Sequence, residues 1–278
     1  MKIQKLLAQK QGPLVMGIVN VTPDSFSDGG RYNSVESAIE QVAHMVELGV
    51  DIVDVGGEST RPGAAKVGLN EEAERVLPVV QAIKNRFDVA ISVDTYKPEL
   101  MAEALKLHVD MVNDVKALTM PNAVEILADT DAYICLMHMQ GTPQTMQSDP
   151  KYTDAINEII NYLDQRLTVC NQAGINNDRI CIDPGFGFGK TLEHNYQILN
   201  QLDKFNQLNV NVLAGLSRKT MIGAVTGKEP EQRVYGSVAG AVIAAMKGAK
   251  IIRVHDVDAT IDALKVLNAT ISTETENK

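Results

Sequence analysis

The sequence predicts a single (β/α)₈ barrel with its active site at the carboxyl ends of the strands. Three observations carry this: eight apolar runs of strand length, helical periodicity between them, and polar residues where the runs end. The length of 278 residues suits one such barrel, which takes ~250, so residues 1–278 are read as one domain.

The first run, Leu14 to Val19, leads into Asn20, and a helical face follows with Val35, Ala38, Ile39, Val42, Met45 and Val46 at 3.6 residues per turn. After the second run, Asp51 to Val55, the residues Ala73, Val76, Leu77, Val80 and Ile83 repeat that spacing, and Pro78 is expected to kink or divide their helix. Then come Ala90 to Val93, Met111 to Val115 and Tyr133 to Met137. Ile156, Ile159, Ile160, Leu163 and Leu167 make another helical face, with Gly174 as its stop. Arg179 to Ile182, Val210 to Ala214 and Lys250 to Val254 complete the eight. Most runs are continuous rather than alternating, as in strands covered on both faces. Strand and helix in alternation imply a parallel sheet with right-handed crossovers, and eight such units close into a barrel more naturally than they form an open sheet. From about Ser272 the chain is polar and is expected to fray.

Composition excludes several classes. A net charge of −9 argues against a general nucleic-acid surface, which needs clustered Lys and Arg. No uncharged apolar stretch is long enough to span a bilayer, and the lysine-broken N-terminus lacks the apolar core of a secretory signal, so a cytoplasmic protein without membrane contact is expected. Cys135, Cys170 and Cys181 are irregularly spaced and read as reduced, buried thiols.

In this fold, chemistry sits just past the strand ends. There the chain offers Asn20; Asp54; Asp94; Asn113 with Asp114; His138; Asp183; Ser217, Arg218 and Lys219; and Arg253 with His255. Asp54, Asp114 and Ser59 read equally well as helix caps or turn residues. The Gly185 to Thr191 segment fails the phosphate-loop spacing, because Pro184 stands where the first glycine belongs. Arg253 and His255 leave their strand on the same side, and closure brings the last strand against the first, so with Asn20 they are placed to grip a phosphate. Two phosphates bring Mg²⁺, with the Asn20 carboxamide and the Asp28 carboxylate as hard oxygen ligands. Asp94, Asn113, Asp183 and Lys219 suit a flat heterocycle with an amino-amide edge, or else satisfy one another as ion pairs. Met137 is a candidate to pack on the face of that heterocycle, His138 to support the mouth, and His44, His108 and His194 fall in or beside helices. The glycine-rich loops after the first two strands are expected to close over the site.

Met16 to Gly30, Asp51 to Gly63, Asp183 to Lys190, Ser217 to Lys219 and Arg253 to His255 together resemble the dihydropteroate synthase family over almost the whole chain. The resemblance implies condensation of 6-hydroxymethyl-7,8-dihydropterin diphosphate with p-aminobenzoate, giving 7,8-dihydropteroate and diphosphate, in a homodimer that sulfonamides inhibit. It further implies that Asp94, Asn113, Asp183 and Lys219 hold the pterin and that Asn20, Arg253 and His255 hold the diphosphate with Mg²⁺. Phe26, Thr60, Arg61, Pro62, Phe188, Ser217 and Lys219 would surround p-aminobenzoate or a sulfonamide. Pterin-binding methyltransferases and a non-catalytic paralogue are the alternatives. The first would not need the Asn20, Arg253 and His255 group, and the second would show losses in the two loops, which look intact.

Overall fold

The computed structural model describes residues 2–21, 30–59 and 63–275. The strands are β1 (Leu14–Asn20), β2 (Ile52–Gly56), β3 (Ala90–Asp94), β4 (Met111–Asp114), β5 (Tyr133–Met137), β6 (Ile180–Asp183), β7 (Asn211–Ala214) and β8 (Ile251–Val254). All pair in parallel in chain order, and β8 closes on β1 with Met16 opposite Arg253. The predicted barrel is present, with strand ends displaced by no more than a residue or two from the apolar runs.

Helices cover the outside: α1 (Lys2–Gln9), α2 (Gly30–Leu48), α3 (Leu69–Arg86), α4 (Pro98–Lys106), α5 (Ala123–Ala128), α6 (Ala155–Gln172), α7 (Leu192–Asn200), α8 (Thr220–Thr226), α9 (Val234–Met246) and α10 (Val257–Thr275). Of the two outcomes expected at Pro78, a kink or a division, division does not occur, because α3 runs unbroken through it. The missing N–H forfeits one hydrogen bond, while Val76, Val79, Val80 and Ile83 stay fully buried and hold the helix to the barrel. At the C-terminus, α10 passes Ser272 and reaches Thr275. No helix among the described residues is long and apolar enough to cross a membrane.

The barrel interior changes character along its axis because side chains alternate inward and outward with a period of two. Near the amino ends the inward set is apolar: Leu14, Met16, Ile52, Ala90, Met111, Leu213 and Ile251 form one buried cluster with Tyr133, Cys135 and Cys181. Ile3 of α1 is fully buried in this cluster, and Leu6 and Leu7 pack on it, so α1 plugs that end. One step further toward the carboxyl ends, the same parity delivers Asp54, Asn113, Asp183 and Arg253, and on β3 it delivers Ser92 and then Asp94. Register aligns these levels, with Gly56 opposite Asp94, Asp94 opposite Asn113, and Met137 opposite Asp183.

Candidate active site

A cleft of about 290 Å³ opens at the carboxyl end, lined by Asp94, Asn113, Val115, Met137, Asp183, Phe188, Gly215, Lys219 and Arg253. Seven of these nine are residues that the sequence singled out. Gly215 was not among them; a Cβ there would stand 3.6 Å from Asp183 Oδ2 and 3.8 Å from Arg253 Cβ, so glycine keeps the floor of the cleft open. A larger surface hollow beside Lys2, Lys84 and Arg86 lies at the opposite end of the barrel. Its cations are engaged already, Lys2 with Asp88 at 2.6 Å and Arg86 with Glu36 at 2.9 Å.

Charge in the cleft is tightly organised. Arg253 donates from Nε to Asp54 Oδ2 at 2.7 Å and from Nη2 to Asp94 Oδ2 at 2.8 Å. Asn113 Nδ2 donates to the same Asp54 oxygen at 3.2 Å. Asp183 Oδ1 accepts the Gly185 backbone N–H at 2.7 Å, which fixes the carboxylate at the start of its loop. Burial pushes the Asp94 carboxyl up to about 7 despite the opposing pull of Arg253. Burial also raises Asp183, against Lys219, and brings Lys219 down to about 8, against Asp183. The Lys219 Nζ donates to the Phe186 carbonyl and stands 4.5 Å from the centre of the Phe188 ring.

Around the rim, Ser217 Oγ lies 3.1 Å from His255 Nδ1 and accepts the His255 backbone N–H at 3.2 Å. Arg253 and His255 therefore face different partners: one is turned into the barrel and the other to the β7 loop. Arg253 sits opposite Met16, four residues before Asn20 on β1, a rise of ~13 Å along the strand. Asn20, Arg253 and His255 thus stand at one mouth, with the guanidinium held by Asp54 and Asp94 and the imidazole beside Ser217. Phe26, Asp28, Thr60, Arg61 and Pro62, with the tips of both expected lids, lie outside the described residues.

Asp114 and Asp54, alike in sequence, separate here. Asp114 accepts the backbone N–H groups of Lys116 at 2.7 Å and Leu118 at 2.8 Å, and so is a turn residue. Asp54 binds side chains of the cleft. A second buried group escaped the sequence reading: Lys190, 2% exposed, whose Nζ contacts His138 Nδ1 at 2.9 Å, Phe188 O at 3.0 Å and His138 O at 3.3 Å. Burial and Lys190 hold His138 down at about 2, so its ring is neutral and supports the mouth from behind. The signal in sequence was the spacing of Gly185, Gly187 and Gly189, all of which adopt positive φ, between 65° and 78°. Gly185 and Gly189 lie so close to the β5 loop that a Cβ would fall 2.0 Å from His138 O and 2.4 Å from Gln140 O. Below the second loop, Lys97 bridges Glu58 and the buried Glu72, a part-buried triad also unread in the sequence. Among the other histidines, His194 closes a capping box with Thr191 at the start of α7.

A family model described as pterin binding enzyme matches residues 16–255. The chain is 53% identical over 266 residues to dihydropteroate synthase of Escherichia coli (strain K12), covering 96% of this chain and 94% of that one. Among solved structures it resembles Yersinia pestis dihydropteroate synthase in a sulfonamide drug complex, with TM-score 0.90, 48% identity and 96% of each chain covered. Xanthomonas albilineans dihydropteroate synthase with 4-aminobenzoic acid follows, with TM-score 0.88, 49% identity and 93% of each chain covered.

Proposed function

This chain belongs to the pterin binding enzyme family, alongside the dihydropteroate synthases, and we infer that it catalyses their reaction. It joins 6-hydroxymethyl-7,8-dihydropterin diphosphate to p-aminobenzoate and releases 7,8-dihydropteroate and diphosphate. The observation that carries this reading is the convergence of Asp94, Asn113, Asp183, Lys219, Met137 and Arg253 on one cleft at the mouth of the barrel.

The residues divide the work by position. Asp94 and Asp183 accept the N–H groups of the pterin amino-amide edge, Asn113 adds an amide, and Lys219 donates to the ring carbonyl. Met137 packs on the ring face. As the bond to diphosphate lengthens, positive charge spreads from the methylene into the ring, where the two carboxylates oppose it. Arg253 and His255 receive the leaving anion. Stabilisation of that cation makes the displacement SN1-like; the aniline nitrogen of p-aminobenzoate then bonds to the methylene without a strong base, and its surplus N–H proton passes to water or the released diphosphate. Phe188, Ser217 and Lys219, with Phe26, Thr60, Arg61 and Pro62, form the p-aminobenzoate subsite, which sulfonamides share.

Asn20, at the carboxyl end of β1, offers a hard carboxamide oxygen at the mouth, and with Asp28 it would hold Mg²⁺. That donor set suits an ion which keeps most of its shell as water and phosphate oxygen. Bound there, Mg²⁺ would neutralise charge on the diphosphate. The assembly is a homodimer, supported by the exposed apolar face of α9, where Tyr235 is 86% and Met246 67% accessible. Three buried free cysteines support the cytoplasm as its compartment.

The test is direct. With the dihydropterin diphosphate, Mg²⁺ and p-aminobenzoate, the folded protein should yield diphosphate and 7,8-dihydropteroate; no product would overturn the reading. Positional isotope exchange within the diphosphate, without p-aminobenzoate, should accompany an SN1-like step and be absent from a concerted one.

A further inference from the structure

Asp54 is fully buried, yet its hydrogen bonds do not serve its own loop. Its Oδ2 accepts from Arg253 Nε at 2.7 Å and from Asn113 Nδ2 at 3.2 Å, while Oδ1 has no partner among the described residues. A carboxylate retained for folding is normally saturated by nearby backbone N–H groups, as Asp114 is. Both partners of Asp54 are instead side chains that the functional reading assigns to substrate, one to the pterin and one to the leaving diphosphate.

We propose that Asp54 is a positioning residue which aims Asn113 and Arg253 and makes pterin and diphosphate binding favour each other. The geometry supplies the steps. The guanidinium is shared, with Nε on Asp54 and Nη2 on Asp94 at 2.8 Å. A pterin edge that occupies Asp94 displaces the Nη2 bond and leaves the Nε bond in place. The guanidinium then pivots on Asp54 with both terminal nitrogens released toward the anion. Conversely, an anion that draws those nitrogens away leaves Asp94 vacant for the pterin edge. Without Asp54 the guanidinium has Asp94 alone as its carboxylate partner, and releasing it no longer leaves it aimed. This inference rests on the functional reading above and goes beyond it in naming a coupling.

Calorimetric binding of 6-hydroxymethylpterin and of inorganic diphosphate, each alone and in the presence of the other with Mg²⁺, tests it. In the unmodified protein each ligand should tighten the other by about tenfold, the usual scale of coupling between sites. Asp54→Asn should bring that factor to about one and lower kcat/KM for the dihydropterin diphosphate by about 10–100-fold, as loss of an outer-shell partner does. KM for p-aminobenzoate should hardly move. Arg253→Lys keeps the charge but has a single nitrogen to share, so it must also lose the coupling; that decides the matter should Asp54→Asn fail to fold. Coupling that survives in either folded variant, or is missing from an unmodified protein that binds both ligands and turns over, overturns the inference alone. An unmodified protein that binds neither ligand and makes no product overturns the functional reading and the inference with it.

Discussion

Replacing Lys190 by Met tests whether a buried amine holds the β6 loop in place. The methionine fills nearly the same volume and removes the Nζ contacts to His138 Nδ1 at 2.9 Å, Phe188 O at 3.0 Å and His138 O at 3.3 Å. Each buried acceptor left bare costs about 1–3 kcal/mol. Part of that is offset because an ammonium no longer needs to be desolvated, an ion-burial cost of several kcal/mol. The balance comes to about 3 kcal/mol lost, or roughly 6–12 °C in Tm for a domain of this size. Urea unfolding followed by circular dichroism, with the m-value unchanged, would measure it. The sign with pH can be checked too. Burial lowers Lys190 well below its ordinary value, so the unfolded chain holds the proton where the folded one has released it. Stability of the unmodified protein therefore rises with pH toward about 10.4 through this group, and Lys190→Met should flatten that slope. Because the amine also anchors Phe188, KM for p-aminobenzoate should rise more than KM for the pterin substrate. A variant as stable as the unmodified protein, to within about 1 kcal/mol, would refute the reasoning and show that burying the amine costs as much as its bonds return.

Four more outcomes are expected. The pH profile of kcat/KM for the dihydropterin diphosphate should climb through about 7 as Asp94 ionises and fall beyond about 8 as Lys219 loses its proton; a flat profile across that range would contradict both assignments. Gly185→Ala places a Cβ 2.0 Å from His138 O at a φ of +73°, and should cost about 3 kcal/mol or more in denaturant unfolding. Chelation should abolish turnover and Mg²⁺ restore it with Tm unchanged, since among the described residues no three His, Cys, Asp or Glu side chains gather to hold an ion structurally. Tyr235→Glu, at a position 86% exposed on α9, should shift sedimentation from dimer to monomer while leaving the barrel folded.

Much of the barrel was legible because its strands are buried on both faces and polar residues stand at or just past their carboxyl ends. Legibility stopped where the deciding partner is distant in sequence. Val-Asp-Val at 53–55 and Asn-Asp-Val at 113–115 look equivalent, yet one aspartate caps a turn and the other binds Arg253, 199 residues away. Lys190 and His138 are 52 residues apart, and the pairing of β5 with β6 across the long α6 crossover brings them together. Pro78 misled for a related reason: local propensity speaks to one hydrogen bond, whereas the packed face of α3 spans its whole length. Arg253 and His255 follow one another at the end of β8, but the first turns to Asp54 and Asp94 and the second meets Ser217. What sequence could not show is that the Arg253 guanidinium turns to two buried carboxylates on other strands, Asp54 and Asp94.

The stopper formed by α1 has a consequence for traffic. With Ile3 sunk among the amino ends of the strands, the barrel opens, among the described residues, at its carboxyl end. Everything that enters must leave by it, and the pterin cleft sits beneath the rim formed by Phe188, Ser217 and His255. With p-aminobenzoate seated at the rim as proposed, occupancy would be last in, first out: a guest there would bar the way to an empty floor, and a spent floor molecule would wait until the rim clears. A blocked queue of this kind makes a rim ligand without its partner below an obstruction instead of a substrate.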